Sequence, residues 1–131
     1  MPTQFGDRDE NMLEAWTTLG FLAARTNRIQ LGTMVSGVTY RNPALLIKMA
    51  TTLDVLSNGR AYLGMGAAWY KEEHEAYGFA FPSTSESFER LEETLQLAAR
   101  MWSGEPTQPF AGRHYQPAYP HNAPGPERLA R

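Results

Sequence analysis

RIQLGTMVSGVTYRNPALLIKMATTLDVLSNGRAYLGMG, residues 28–66, is the stretch on which the fold turns. Its first part, Arg28 to Val35, is rich in branched and apolar residues and closes on Ser36-Gly37, so a buried strand is expected there. Asn42-Pro43 then marks a helix start, because Asn accepts orphan amide hydrogens at the N-cap while Pro loses nothing at the first helical position. Leu46, Met49, Leu53 and Leu56 recur at helical spacing, and Asn58-Gly59 supplies a left-handed stop. Ala61 to Gly66 reads as a second buried strand. A strand, a crossover of about 25 residues carrying a helix, and a second strand make a parallel βαβ unit.

Outward from this unit the pattern continues to alternate. On the N-terminal side, Met12, Trp16, Leu19, Leu22 and Ala23 form one helical stripe between Asn11 and Thr26, preceded by acidic Asp7, Asp9 and Glu10, which suit a helix N-terminus. On the C-terminal side comes a short amphipathic piece, Tyr70 to Tyr77. A longer helix follows, striped by Phe88, Leu91, Leu95, Ala98 and Trp102 and stopped by Gly104. Six of the nine prolines fall between Gly104 and Arg131, so residues 105–131 are expected to be a Pro-rich, irregular or mobile tail. The order implies an α/β protein with a parallel sheet. Two parallel strands do not make a sheet covered on both faces, and a (β/α)8 barrel takes about 250 residues, so residues 1–131 read as one incomplete domain.

Composition narrows the function. The chain has 131 residues, 12 Lys+Arg against 14 Asp+Glu, and no Cys. A net charge of −2 without any basic block argues against a nucleic-acid partner, since neutralising phosphates requires clustered Lys and Arg. No apolar run approaches the roughly 18 residues of a membrane span. The start, Met1-Pro2-Thr3-Gln4-Phe5-Gly6-Asp7, has no basic n-region and no apolar h-region. A cytoplasmic protein without thiol or disulfide chemistry is the expectation.

Four segments in order carry a resemblance: 12–19, MLEAWTTL; 31–44, LGTMVSGVTYRNPA; 52–61, TLDVLSNGRA; and 63–70, LGMGAAWY. With EHEAYG at 73–78 and FERLEE at 88–93 following, residues 9–115 resemble the luciferase-like monooxygenase family, in its branch of coenzyme F-420-dependent oxidoreductases. The resemblance implies a partial (β/α)8 TIM barrel, about strands three and four of eight with their flanking helices. It implies that other strands belong before Met1 and after Arg131, and the sequence from Ala123 to Arg131 does not match the family's continuation.

Strand C-termini face the active site of a parallel barrel, which directs attention to Met34–Gly37 and Gly66–Trp69. In the family the third strand ends in a bulge with a non-prolyl cis peptide beneath the middle ring of the cofactor. The resemblance puts that bond at Met34–Val35 and assigns Met34, Val35, Ser36 and Gly37 to cofactor binding. Gly66, Ala67 and Ala68 join them, because small side chains let backbone amides approach a flat ring or an anionic group, and Trp69 joins them by its place at the same strand end. Trp69 stands near where some sugar-phosphate-oxidising relatives have a glutamate proton donor, so that role is not carried over, and no catalytic residue is assigned. The implied cofactor is coenzyme F-420, with FMN as the alternative, and the implied reaction is hydride transfer or, with FMN and O2, monooxygenation of a small-molecule substrate. Barrel relatives commonly pair, so a homodimer is one expected state. The rival reading is a truncated, non-catalytic remnant of such an enzyme.

Other motifs carry less. Trp69 breaks a GxGxxG dinucleotide fingerprint begun at Gly64, which disfavours a doubly wound nucleotide-binding module. Lys71-Glu72-Glu73-His74-Glu75 reads as a solvated helical face, and His114 and His121 as surface residues, so no metal site is expected. Ser36, Ser57 and Ser83 lack the GxSxG context of a nucleophile. Trp16 and Trp102 fall on helical stripes and are expected to pack. Tyr40 and Arg41 lie in a loop on the catalytic face, open to substrate or to solvent.

Overall fold

The structure, a computed structural model, describes residues 10–106 and 108–128. Two parallel strands, β1 (Leu31–Gly37) and β2 (Ala61–Gly66), flank helix α2 (Pro43–Leu56), with α1 (Ala15–Arg25) before them and α3 (Lys71–Tyr77) and α4 (Thr84–Trp102) after. Leu31 lies opposite Ala61, Thr33 opposite Leu63 and Ser36 opposite Met65, so two residues of β1, Met34 and Val35, face only Gly64 of β2. That one-residue excess is a β-bulge.

Local chemistry sets the element ends. Asn42 Oδ1 accepts from the Ala44 and Leu45 amides at 3.0 and 3.4 Å, with Pro43 at the first helical position of α2. Asn58 and Gly59 have φ of 55° and 75°, and the Gly59 amide returns to the Asp54 carbonyl at 2.8 Å. Both ends of α2 and all of β2 lie where the sequence pattern predicts. Helix α1 differs. Asp7 and Asp9 lie outside the described residues, Glu10 precedes the helix, and its N-cap is Glu14, whose carboxylate accepts from the Trp16 and Thr17 amides at 3.1 and 2.7 Å. Strand β1 begins three residues later than Arg28, because the Ile29 carbonyl is taken by Arg60 Nη1 at 3.0 Å instead of by a ladder partner.

Helices α1 and α2 pack on one face of the sheet around Trp16, Ala23, Leu31, Leu46, Ala50 and Leu53. A second cluster, Ile47, Leu97, Ala98, Met101 and Phe110, joins α2 to α4 and the segment beyond it. Full burial of a Leu or Ile such as Leu46 or Ile47 stabilises by about 1.5–3 kcal/mol. The α4 stripe is corrected here: Phe88 and Leu95 are exposed, while Ser87 and Thr94 are buried. The Thr94 hydroxyl returns to the Arg90 carbonyl at 2.7 Å, which satisfies it within the helix and lets it pack inward.

Arg60 ties the bottom of the unit together, donating to the Ala23 and Ile29 carbonyls, the Thr26 hydroxyl and the Ser57 carbonyl, all within 3.1 Å. After α4 no helix or strand occurs among the described residues, yet the segment is held. The Glu93 carboxylate accepts from three successive amides, Arg113, His114 and Tyr115, at 2.7 to 3.1 Å. Tyr115 Oη then reaches the Val38 carbonyl at 3.4 Å. Among the described residues no helix is long and apolar enough to cross a membrane.

Candidate functional site at the ends of the parallel strands

The bulge is held from behind by a chain of hydroxyls. Trp16 Nε1 donates to Ser36 Oγ at 3.1 Å, and Thr33 Oγ1, 2.9 Å from Ser36 Oγ, donates to the Gly64 carbonyl at 3.3 Å. Because Thr33 spends its hydrogen on Gly64, Ser36 donates to Thr33, and every link is satisfied. The Ser36 side chain is buried and occupied by this task. The Met34–Val35 peptide is cis, at the bond the resemblance indicates. Met34 is 92% exposed and Val35 56%, so both side chains form an apolar shelf that the described residues leave largely uncovered.

Glycines let Val35 lie on β2. A Cβ on Gly66 would sit 2.6 Å from Val35 Cγ2, and one on Gly64 would sit 3.0 Å from Val35 Cγ1. At the next level a Cβ on Gly37 would meet the Tyr40 ring at 2.9 Å and the Ala68 methyl at 3.0 Å. Ala68 has φ of 65°, a left-handed conformation that L-residues seldom adopt outside turns and functional sites. The Trp69 side chain beyond it is exposed, its ring 5.3 Å from that of Tyr70.

An open cavity of about 570 Å³ lies at the C-terminal end of β1, lined by Val35, Ser36 and Gly37 together with Tyr40, Arg41 and Glu73. Leu13, Glu14, Trp16, Tyr77 and Phe79 are among its other wall residues. The sequence-predicted set therefore divides: Val35, Ser36 and Gly37 line the cavity, Met34 lines an adjoining depression with Gly32, and Gly66 and Ala68 abut the lining from β2. Ala67 and Trp69 line neither space.

Sequence reasoning missed what faces this set. The stretch 71–75 is no plain solvated face, because His74 is fully buried. Its Nδ1 lies 2.8 Å from the Tyr70 carbonyl, which can only accept, so in the neutral ring Nδ1 carries the hydrogen and Nε2 accepts from the Thr39 hydroxyl at 2.7 Å. The ring rests 4.2 Å from Tyr40 and edge-on to Phe81 at 4.9 Å. Beside it Tyr40 Oη donates to Glu73 Oε2 at 2.6 Å. Burial first, and then that hydrogen bond to a carboxylate, raise the Tyr40 phenol well above the ordinary tyrosine range. The partners are 33 to 35 residues apart, so helical spacing alone held no signal of them. His114 is likewise engaged, its Nε2 2.7 Å from Glu89.

Arg41 pairs with Glu14 at 2.5 Å, so the α1 cap and the cavity's cation share one carboxylate. Burial pushes Glu14 upward, but the Thr17 and Trp16 amides and Arg41 outweigh it and hold the carboxyl below the ordinary glutamate value. A depressed carboxyl contributes stability above its unfolded pKa of about 4.3, and that contribution is lost as pH falls through the lower folded value. Urea unfolding should therefore show Glu14→Gln less stable than the parent at neutral pH, with the gap narrowing as pH is lowered below about 4. A gap independent of pH would mean that the charge contributes nothing.

The family model for luciferase-like monooxygenase matches residues 2–130. An F420-dependent glucose-6-phosphate dehydrogenase from Kineococcus radiotolerans is 41% identical over 108 residues, 82% of this chain and 32% of that protein. Among solved structures, the monooxygenase RslO1 from Streptomyces bottropensis superposes with a TM-score of 0.74 at 27% identity, covering 90% of this chain and 34% of its own. An F420-dependent secondary alcohol dehydrogenase in complex with an F420-acetone adduct gives a TM-score of 0.82 at 19% identity, over 92% and 36% of the two chains, a likeness of fold. The chain spans about a third of the length of the curated relatives it matches.

Proposed function

This chain belongs to the luciferase-like monooxygenase family, and from that premise we propose that it carries the ring-supporting part of a flavin-type oxidoreductase whose cofactor is coenzyme F-420. Its α/β unit is a portion of the TIM-barrel type of fold found in that family. The observation that carries the reading is the apolar shelf of Met34 and Val35, raised on a bulge at the mouth of the cavity and left uncovered by the described residues.

Such a shelf fits a planar, largely apolar ring. Val35 would bear on its face, Met34 would flank it, and the small residues Gly66, Ala67 and Ala68 would stand at its polar edge, with Trp69 beyond. When bound, F-420 exchanges a hydride with a small-molecule substrate, whereas reduced FMN, the alternative cofactor, also activates oxygen. The relatives whose names specify F420 support the first. The protein's share is orientation and exclusion of water: the hydroxyl chain behind Ser36 holds the shelf in place, and Trp16 closes its rear. A cytoplasmic setting and pairing into a homodimer belong to the same proposal.

Titration of the purified chain with F-420 and separately with FMN, followed by cofactor absorbance or fluorescence, tests it. Saturable binding with a dissociation constant below about 1 mM, tighter for F-420 and weakened at least about tenfold by Val35→Asp, is expected. A folded chain that binds neither cofactor overturns the proposal in favour of a non-catalytic remnant.

A further inference from the structure

The cavity beside the shelf holds a pair of groups to which no role has been given. We propose that Tyr40 and Glu73 are the proton-handling pair of this site: the Tyr40 phenol hydrogen-bonds the oxygen of a neutral hydroxyl or carbonyl substrate, and Glu73 exchanges the proton through it. This rests on the redox reading above.

Three observations lead there. Tyr40 and Glu73 line the same cavity as Val35, and their oxygens are 2.6 Å apart, the separation at which a proton passes between partners. The phenol is held from the rear by the His74 ring at 4.2 Å and edge-on by Phe79 at 5.6 Å, while His74 is itself fixed by Thr39 and the Tyr70 carbonyl. Held in this way, Tyr40 Oη points at Glu73 without spending conformational freedom at the moment of reaction. Finally, Arg41 is the sole cation among the described residues lining the cavity and is paired with Glu14. An anionic substrate would meet two carboxylates there and a cation already paired with one of them, whereas a neutral one meets the apolar surfaces of Leu13, Tyr77 and Phe79 beside Tyr40 and Glu73, with no net charge to repel it.

The proton balance is simple. Oxidation of a secondary alcohol to its ketone breaks one C–H and one O–H bond, and the hydride goes to the two-electron acceptor already proposed. The hydroxyl proton moves to Tyr40 Oη as the phenol's own proton moves to Glu73, which ends as the neutral acid and later releases it to water. Carbonyl reduction runs the same path backwards.

The chain, with Tyr40→Phe, Glu73→Gln and Glu73→Asp, is loaded with F-420 and offered cyclohexanol, cyclohexanone and glucose 6-phosphate. Tyr40→Phe keeps the ring against His74, so F-420 affinity should stay within about twofold, while kcat for cyclohexanol falls about 100-fold and KM changes far less. Glu73→Gln should match that loss and Glu73→Asp should recover part of it. Without substrate, the ultraviolet titration of the Tyr40 phenol, isolated in each background by subtracting the same protein carrying Tyr40→Phe, should move down by about one pH unit in Glu73→Gln, since a charged acceptor is removed. F-420 binding with unchanged kcat in Tyr40→Phe, or oxidation of glucose 6-phosphate but not of cyclohexanol, overturns this inference alone. Failure to bind F-420 at all overturns the redox reading and the inference with it.

Discussion

Trp16→Ala is expected to lower stability by about 3–5 kcal/mol, the range for removing a buried aromatic side chain. Trp16 lies in the cluster that joins α1 to both β1 and α2, and its indole N–H is the first donor in the chain through Ser36 and Thr33 to Gly64. The alanine variant loses packing and donor together. Trp16→Phe separates them, keeping most of the packing and leaving Ser36 Oγ short of one donor, at a cost of about 1–3 kcal/mol. Urea denaturation of both variants, with F-420 titration of the folded fraction, checks the link from core to shelf. Destabilised variants that bind F-420 with parental affinity would mean that the hydroxyl chain does not hold the shelf.

The second large effect concerns Gly64. A Cβ there would lie 2.5 Å from the Thr33 carbonyl oxygen, an atom of the backbone that has no rotamer to adopt, and 3.0 Å from Val35 Cγ1. Gly64→Ala must therefore push β1 and β2 apart at the bulge, with a cost of about 1–3 kcal/mol by the overpacking range. Gly20, inside α1, has nothing within 4 Å of the corresponding position. Gly20→Ala should stabilise by about 0.5–1 kcal/mol, because only backbone entropy changes. Thermal unfolding of the two variants side by side should move in opposite directions. A Gly64→Ala protein as stable as the parent, with F-420 binding intact, would show that the strand pair yields at no cost.

Much of the α/β frame can be read from residues whose effects are local. Asn42-Pro43 and Asn58-Gly59 place both ends of α2 because capping and left-handed φ depend on neighbours within one turn. The start of α1 is harder to read, since a carboxylate at position 14 serves as cap while an acidic cluster farther upstream suggests an earlier start. On α4, apolar Phe88 and Leu95 invite an inward reading, but the face that meets α2 presents Thr94, Leu97 and Met101. The candidate site divides in the same way. The bulge residues follow from family resemblance and strand position, whereas Tyr40, Glu73 and His74 meet across more than 30 residues, through contacts that no periodicity encodes.

Glu93 adds an evolutionary consequence. Its carboxylate fastens the turn at Arg113–Tyr115 to α4 together with Glu89, which holds Arg113 and His114, and with Phe110, buried between α2 and α4, so the placement of Tyr115 against Val38 is set from α4. Changes of length between Gly104 and Pro109 should therefore leave the strand ends in place wherever Phe110 and the acids at positions 89 and 93 are kept.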